Sequence, residues 1–327
     1  MPGDDRFHLF TKTSRDTAYH APPVPKSRSH AFPGKTMVKA SRHSRGAVNF
    51  PDAAVNPASL ASDLSLGMVG AMTERPPEIP AATLVVFRNA QDGGPPELLM
   101  VTRSRAMSFA GGMAVFPGGR VDAADYTLAK RLCGPEQVEE LAHRIAAIRE
   151  TVEETGLLVG VRGAVDAAAA QALRTDLVAG RDFSEALEAA GLALDGDALV
   201  PFARWCPRGV TTHRIFDTRF YLADLGTGAV EVTVDATENT RLFWTSAREA
   251  LAATDRGELS VIFPTRRNLE RLALFDSFDE ARAQAESIPV RLIVPEMAER
   301  DGRQALVIPD DLGYPVTSEP FESAQRG

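Results

Sequence analysis

Leu141, Ile145, Ile148 and Val152 recur at helical spacing through "LAHRIAAIRETVEETG" and form one narrow apolar stripe. Thr155-Gly156 marks the end of that helix. At about 100° per residue, Glu150, Glu153 and Glu154 fall on the side opposite the stripe. Negative charge is least welcome there. Carboxylates near a helix C-terminus oppose the macrodipole, at roughly 0.3–1 kcal/mol each, and Glu150 with Glu154 is a like-charge i,i+4 pair. Within the segment only Arg149, four residues before Glu153, offsets the cluster. A solvated face is the ordinary reading of a charge run. The alternative is a divalent cation such as Mg²⁺, which favours clustered carboxylate oxygens.

The surrounding pattern says what this helix packs with. "ATLVVFR" and "ELLMVTR" read as two strands joined by the Gly/Pro-rich loop "NAQDGGPP". "MAVFPGG" reads as a third short strand running into a turn, and an apolar strand is expected near Leu157–Val161. "DAAAAQALRTDLVAG" and "DFSEALEAAG" read as two helices, a helical insertion at about 166–192 whose Ala and Leu stripes serve packing. "RIFDTRFYLADL" and "TRLFWT" are strands, "SAREALAAT" a helix with Ser246 as N-cap, and "PTRRNLERLALF" a helix with Pro264 near its start. "VRLIVP" and "QALVIP" flank "ERDGR", where Asp301-Gly302 suits a hairpin turn. Strands and helices alternating with mixed connections predict an α/β domain of layered type. An apolar fraction of 44% suffices for its core.

Residues 1–75 differ from this. "HAPPVPKSRSHAFPGKTMVKASRHSRG" is rich in Pro, Ser and basic residues without periodicity, and holds His20, His30 and His43. Residues 1–50 carry +6, so a chain of net charge −8 leaves −14 on the remainder. The expectation is a disordered basic extension over 1–75, with Met68 and Met72 as alternative starts, followed by a globular domain over 76–327. The acidic balance argues against a nucleic-acid partner. There is no run of about 18 apolar residues, hence no membrane span. Cys133 and Cys206 lack metal-ligand spacing and fit a reducing cytosol.

"RETVEETGL", Arg149 to Leu157, together with "FPGGRVDAAD", Phe116 to Asp125, resembles the Nudix hydrolase box, G-x5-E-x7-R-E-U-x-E-E-x-G-U with U a bulky aliphatic. Gly119 fits the opening glycine, and Arg149, Glu150, Glu153, Glu154, Gly156 and Leu157 fit the closing half. Asp125 stands where the first glutamate is expected, and Thr151 replaces an aliphatic residue. Gly119 and Arg149 are 30 residues apart, about sixteen more than the pattern implies; the surplus lies around Tyr126–His143. A branch similar to the peroxisomal-type coenzyme A diphosphatases carries a long insertion inside the box. "RSRAMSFAGGMAVFPGG" resembles that branch's signature R-S-x3-R-x3-G-x3-F-P-G-G: Arg103, Ser104, Gly112, Phe116, Pro117, Gly118 and Gly119 match, and Ser108 replaces the second arginine.

The resemblance implies a Nudix-type α/β/α sandwich with a mixed sheet and a helical insertion. It implies metal-dependent hydrolysis of a phosphoanhydride in a nucleoside-diphosphate-linked small molecule, coenzyme A or acyl-coenzyme A first. An ADP-ribose or dinucleotide pyrophosphatase stands second, and a non-catalytic Nudix-fold binding module stays open. Glu150, Glu153, Glu154 and the Gly119 carbonyl would hold Mg²⁺ or Mn²⁺, with Arg149 orienting a glutamate. Gly118 and Gly119 would let backbone approach metal or phosphate. Glu238, before the strand "TRLFW", is a candidate proton acceptor. Arg103 and Arg105 are the first candidates for substrate phosphates, with Arg214, Arg219, Arg266 and Arg267 behind them; Phe109 and Trp205 could stack on a base. Family members are often homodimers, and a cytoplasmic location is expected because the closing "AQRG" is not of the S-K-L type.

Overall fold

The computed structural model describes residues 76–104, 110–163, 165–208, 214–225 and 239–324. The expected extension over 1–75 lies outside them. The chain opens with β1 (Glu78–Arg88), β2 (Glu97–Arg103), β3 (Ala114–Val115) and β4 (Gly118–Arg120), followed by α1 (Ala123–Leu132) and α2 (Val138–Thr155). Next come β5 (Val161–Arg162), α3 (Ala167–Val178), α4 (Phe183–Ala189), β6 (Ala193–Leu194), β7 (Val200–Trp205), β8 (Ile215–Asp224) and β9 (Asn239–Ser246). The last part holds α5 (Ala247–Asp255), α6 (Phe263–Leu272), α7 (Phe278–Ser287), β10 (Leu292–Ile293), β11 (Glu296–Arg300), β12 (Arg303–Val307), β13 (Ser318–Pro320) and α8 (Phe321–Ala324).

β1 is the spine of a mixed sheet. One edge runs parallel to β8, from Glu78 beside Ile215 to Phe87 beside Asp224. The other edge is shared: Ala82 and Thr83 lie opposite Gly119 and Gly118 of β4, and Phe87 lies opposite Leu98 of β2. β9 extends the sheet beyond β2, β7 pairs antiparallel with β8, and β10 flanks β7. Successive side chains of β1 point to opposite faces, and each face is apolar. Leu84 and Val86 join Ile145, Ile148 and Val152 of α2, with Leu173 of α3 and Leu187 of α4. Val85 and Phe87 join Met100, Ala250 of α5, Leu269 of α6 and Ala281 of α7. Helices therefore cover both faces in an α/β/α sandwich. Each fully buried Leu, Ile, Val or Phe contributes about 1.5–3 kcal/mol to holding them there.

Several expectations hold at the level of single residues. Ser246 caps α5, its hydroxyl accepting from the Glu249 N–H at 3.2 Å while Glu249 Oε2 accepts from the Ser246 N–H. Asp301 (φ 50°) and Gly302 (φ 72°) form a two-residue turn with Arg300 opposite Arg303. The helices expected within 166–192 are α3 and α4. Other expectations need correction. Leu157, Leu158 and Val159 are buried without forming a strand, because Gly160 (φ 72°) turns the chain and only Val161–Arg162 pairs. The partner of β12 in its hairpin is "EMAER", not "VRLIVP"; β10 joins the main sheet instead, and Pro295 separates the two. "MAVFPGG" forms two strands around Phe116-Pro117, whose proline has no N–H for a ladder. α1, β7 and α7 were not expected: α7 buries only Ala281 and Ala285, too thin a stripe to read. Among the described residues no helix is long and apolar enough to cross a membrane.

Candidate active site

α2 ends as its sequence dictates. Gly156 adopts φ 72°, ψ 7° and donates its N–H to the Val152 carbonyl at 2.8 Å. Thr155 folds its hydroxyl back onto the Thr151 carbonyl at 2.6 Å and accepts from the Leu157 N–H. That stop sets Glu150 and Glu154 against β4. The Gly118 N–H donates to Glu154 Oε2 at 3.2 Å, and Glu154 is 5% exposed. The Glu150 carboxylate lies against Gly119, where a Cβ would collide with it. At Gly118 a Cβ would strike the Ala82 carbonyl oxygen and come within 2.7 Å of Thr83 Cα. Glycine at 118 is thus required by close approach to β1, and at Gly119 a Cβ would displace the Glu150 carboxylate.

Arg149 ties this corner together from within. Its Nε and Nη2 donate to the two oxygens of Asp125 at 3.1 and 3.0 Å, and Nη2 also reaches the Arg120 carbonyl. Its Nη1 donates to Glu150 Oε1 at 2.9 Å and to Glu153 Oε1 at 3.4 Å. Burial works against the cation, but Asp125, Glu150 and Glu153 outweigh it and hold its pKa above the usual guanidinium value. Asp125 is 1% exposed and also accepts from the Asp122 N–H at 2.8 Å. The residue standing in place of the first glutamate is therefore an anchor for Arg149 and for the start of α1. The surplus around Tyr126–His143 folds as the rest of α1 and the opening turns of α2.

The charge at the corner is only partly balanced. Burial pushes the Glu150 carboxyl up to about 7; Arg149 pulls it down and Glu153 pushes it up again. Burial also raises Glu153, against the pull of Arg149. Hard carboxylate oxygens beside a backbone turn, carrying more negative charge than their cations offset, are the donor set a small divalent ion selects. The set is gathered without being closed: among the described residues, no three acidic, histidine or cysteine side chains stand close enough to hold an ion. Glu150 and Glu153 accept from Arg149, and Glu154 accepts from the Gly118 N–H.

These groups form one end of a cleft of about 740 Å³. Arg103 and Arg214 also line it, and the Arg103 Nε is buried with no partner. Phe216, Phe220, Ile262 and Pro264 add apolar surface to it, and Leu177 with Val178 of α3 also line it, which the sequence did not signal. Other candidates lie elsewhere. Arg219 pairs with Glu139 and Glu140, Arg266 with Asp255, and Arg267 with Glu270 and Glu319. Trp205 lines the cleft, but it is 1% exposed and its Nε1 donates to Asn268 and Tyr314. Burial raises the Cys206 thiol, which makes it inert. Arg105, Ser108, Phe109, His213 and Glu238 lie outside the described residues.

No family model matches the chain. It is 27% identical over 237 residues to "Acyl-coenzyme A diphosphatase NUDT19" of Gallus gallus, a match covering 56% of this chain and 63% of that protein. The chain therefore spans less than two thirds of that relative's length. A crystal structure of a Nudix hydrolase from Alicyclobacillus acidocaldarius superimposes with a TM-score of 0.55 at 31% identity. That match covers 63% of this chain and 96% of the other.

Proposed function

The chain belongs to the Nudix hydrolase family, and on that premise we propose that it hydrolyses the phosphoanhydride of acyl-coenzyme A or coenzyme A. The observation that carries the reading is the seating of Glu150 and Glu154 against the Gly118–Gly119 corner, in a cleft that Phe216, Phe220, Ile262 and Pro264 also line. Glu150, Glu153, Glu154 and the Gly119 carbonyl would hold Mg²⁺ or Mn²⁺. Such an ion neutralises phosphate charge and acidifies the attacking water. Arg149 keeps Glu150 and Glu153 turned toward the cleft, and Arg103 and Arg105 meet the phosphates.

The water oxygen bonds to one phosphorus, the bond from that phosphorus to the bridging oxygen breaks, and a carboxylate takes the water's proton. Glu238 is one proposed acceptor. A carboxylate of the glutamate helix is the other. The products are 3′,5′-ADP and a 4′-phosphopantetheine, acylated when the substrate is. Phe216, Phe220, Ile262 and Pro264 offer apolar surface to the acyl-pantetheine arm, and the Gallus gallus relative is named for that substrate. Residues 76–327 form the hydrolase domain in this reading, a cytoplasmic protein with residues 1–75 as an extension.

The test is to incubate the purified chain with Mg²⁺ or Mn²⁺ and a panel of coenzyme A, acyl-coenzyme A, ADP-ribose, NADH and diadenosine compounds, and to follow product masses. Acyl-coenzyme A should turn over with the greatest kcat/KM. A preference for ADP-ribose or a dinucleotide would replace the substrate assignment, and no turnover on any compound would make the chain a binding module.

A further inference from the structure

The three glutamates crowd the end of a helix that has no basic residue in its last turn. Arg149 answers the side chains of Glu150 and Glu153 and the Gly118 N–H that of Glu154, but the backbone poses a second problem. The last carbonyls of a helix have no intrahelical partner, and they carry the negative end of its dipole. In α2 the Val152 carbonyl is taken by the Gly156 N–H. The carbonyls of Glu153 and Glu154 are met from a different helix. Arg174, in the middle of α3, donates its Nε to the Glu153 carbonyl at 3.0 Å and its Nη2 to the Glu154 carbonyl at 3.3 Å. Arg174 is 8% exposed, and its flanking apolar neighbours Leu173 and Leu177 are buried in the core that holds α2. Its position is therefore fixed by packing, and its planar fork spans two successive backbone oxygens.

We propose that Arg174 is a positioning residue of the active site. It fixes the direction of the backbone from which the Glu153 and Glu154 side chains leave, and its charge offsets the helix end on which they are crowded. The inference rests on the hydrolase reading for its purpose, although the contact itself does not depend on it. It also gives α3 a place in the site: one turn beyond Arg174, Leu177 and Val178 line the cleft. A clamp acting through α2 changes the ion site and the rate. A general displacement of α3 would also disturb the cleft wall and raise KM.

The experiment compares the parent chain with Arg174→Met and Arg174→Lys. Mn²⁺ affinity is measured with the metal alone by titration calorimetry, and hydrogen exchange across residues 150–160 is measured in metal-free protein. Removing a group that orients metal ligands typically costs 10–100-fold in affinity. Arg174→Met is expected to weaken Mn²⁺ binding by at least about tenfold and to lower kcat by a similar factor, with KM changed less than about threefold. It should also accelerate exchange at residues 153–157, and Arg174→Lys should recover part of each loss. Parent-like Mn²⁺ affinity in a folded Arg174→Met protein would overturn the proposal, even with a lower melting temperature. If that variant does not fold, Arg174→Lys decides: weakened affinity supports the proposal and parent-like affinity overturns it. A parent that binds no Mn²⁺ would sink the metal-dependent hydrolase reading instead. Exchange at the helix end would then decide on Arg174, with unchanged rates in both variants counting against it.

Discussion

Arg149 within α2 and Arg271 in the last turn of α6 are both buried guanidiniums of amphipathic helices, and their surroundings have opposite chemistry. Arg149 faces Asp125, Glu150 and Glu153, and its pKa is raised. Arg271 donates to the Phe202 carbonyl at 3.0 Å and to Gln284 Oε1 at 2.7 Å, and it stacks 4.0 Å from the Phe202 ring centroid. Burial holds its pKa below the usual value. The Arg271 surroundings satisfy a cation with neutral dipoles and π-faces, which cement two layers of the sandwich. Around Arg149 there is more negative charge than one guanidinium offsets, and the surplus opens on a cleft. A fold gains nothing from such a surplus; a site that binds a cation does.

The sharpest separation of the two regions comes from the glutamates. Glu153→Gln and Glu154→Gln should each lower turnover by roughly a thousandfold, a barrier change of about 4 kcal/mol, while circular dichroism and melting temperature stay near those of the parent. Turnover comparable to the parent in both variants would remove them from the metal site.

The arginines come next, and here stability and activity should part company. Arg149→Met leaves Asp125 buried without its cation, a cost of about 3–5 kcal/mol. Arg149→Met with Asp125→Leu should restore most of the stability and none of the activity. Arg271→Met strands the Phe202 carbonyl and the Gln284 amide oxygen, at about 1–3 kcal/mol for each unsatisfied group, yet kcat per folded molecule should not move. Urea titration with parallel assays checks both, and an Arg271 variant that stays folded but loses kcat would erase the contrast.

This contrast also explains what could be read in the chain beforehand. The apolar stripe of α2, its glycine stop, the Ser246 cap and the Asp301-Gly302 turn are local signals, and each was legible. Arg149, Glu150 and Glu153 were legible too, because helical spacing alone brings them together. Asp125 looked like a defect in the motif; only the packing of α1 on α2 makes it the partner of Arg149. Leu177 and Val178 were read as packing surface, since nothing in a helical stripe says that its last turn overhangs a cleft. "VRLIVP", which holds β10, reads as the hairpin strand because an apolar run does not say which sheet it joins, and the polar "EMAER" of β11 gives no strand signal.

A smaller effect should appear with pH. The folded Glu150 carboxyl has its pKa raised to about 7, above the ordinary value near 4.3. A raised carboxyl favours the folded state below its unfolded pKa, and that contribution is lost as pH rises through the folded value. The metal-free protein should therefore lose stability between about pH 5 and pH 8. Glu150→Gln, which is neutral throughout, should melt a few degrees higher than the parent at pH 8 and show little difference at pH 5. Saturating Mn²⁺ should reverse the order at pH 8, since the ion stabilises only the ionised site. An equal melting temperature for the two proteins at pH 8 without metal would mean that the charge surplus is already compensated.

The smallest expected effect concerns residues 1–71. Both arginine environments, the cleft and the two core clusters are formed, among the described residues, within 76–324. Charge is a way the extension could enter the comparison, since residues 1–50 carry +6 against −14 for the rest. If that attraction relieved the glutamate corner, removing residues 1–71 would lower the metal-free melting temperature at low salt. The loss would vanish as salt rises, because exposed charges more than about 10 Å apart are screened at 0.1 M. Part of the corner's charge is met at short range by Arg149 and the Gly118 N–H, and the surplus faces the cleft. We therefore expect a chain starting at Met72 to match the full chain within about 1 °C in melting temperature at both 10 and 300 mM salt, and within about twofold in kcat/KM. A salt-dependent gap between the two chains would move part of the balance at the corner out of the sandwich and into the extension.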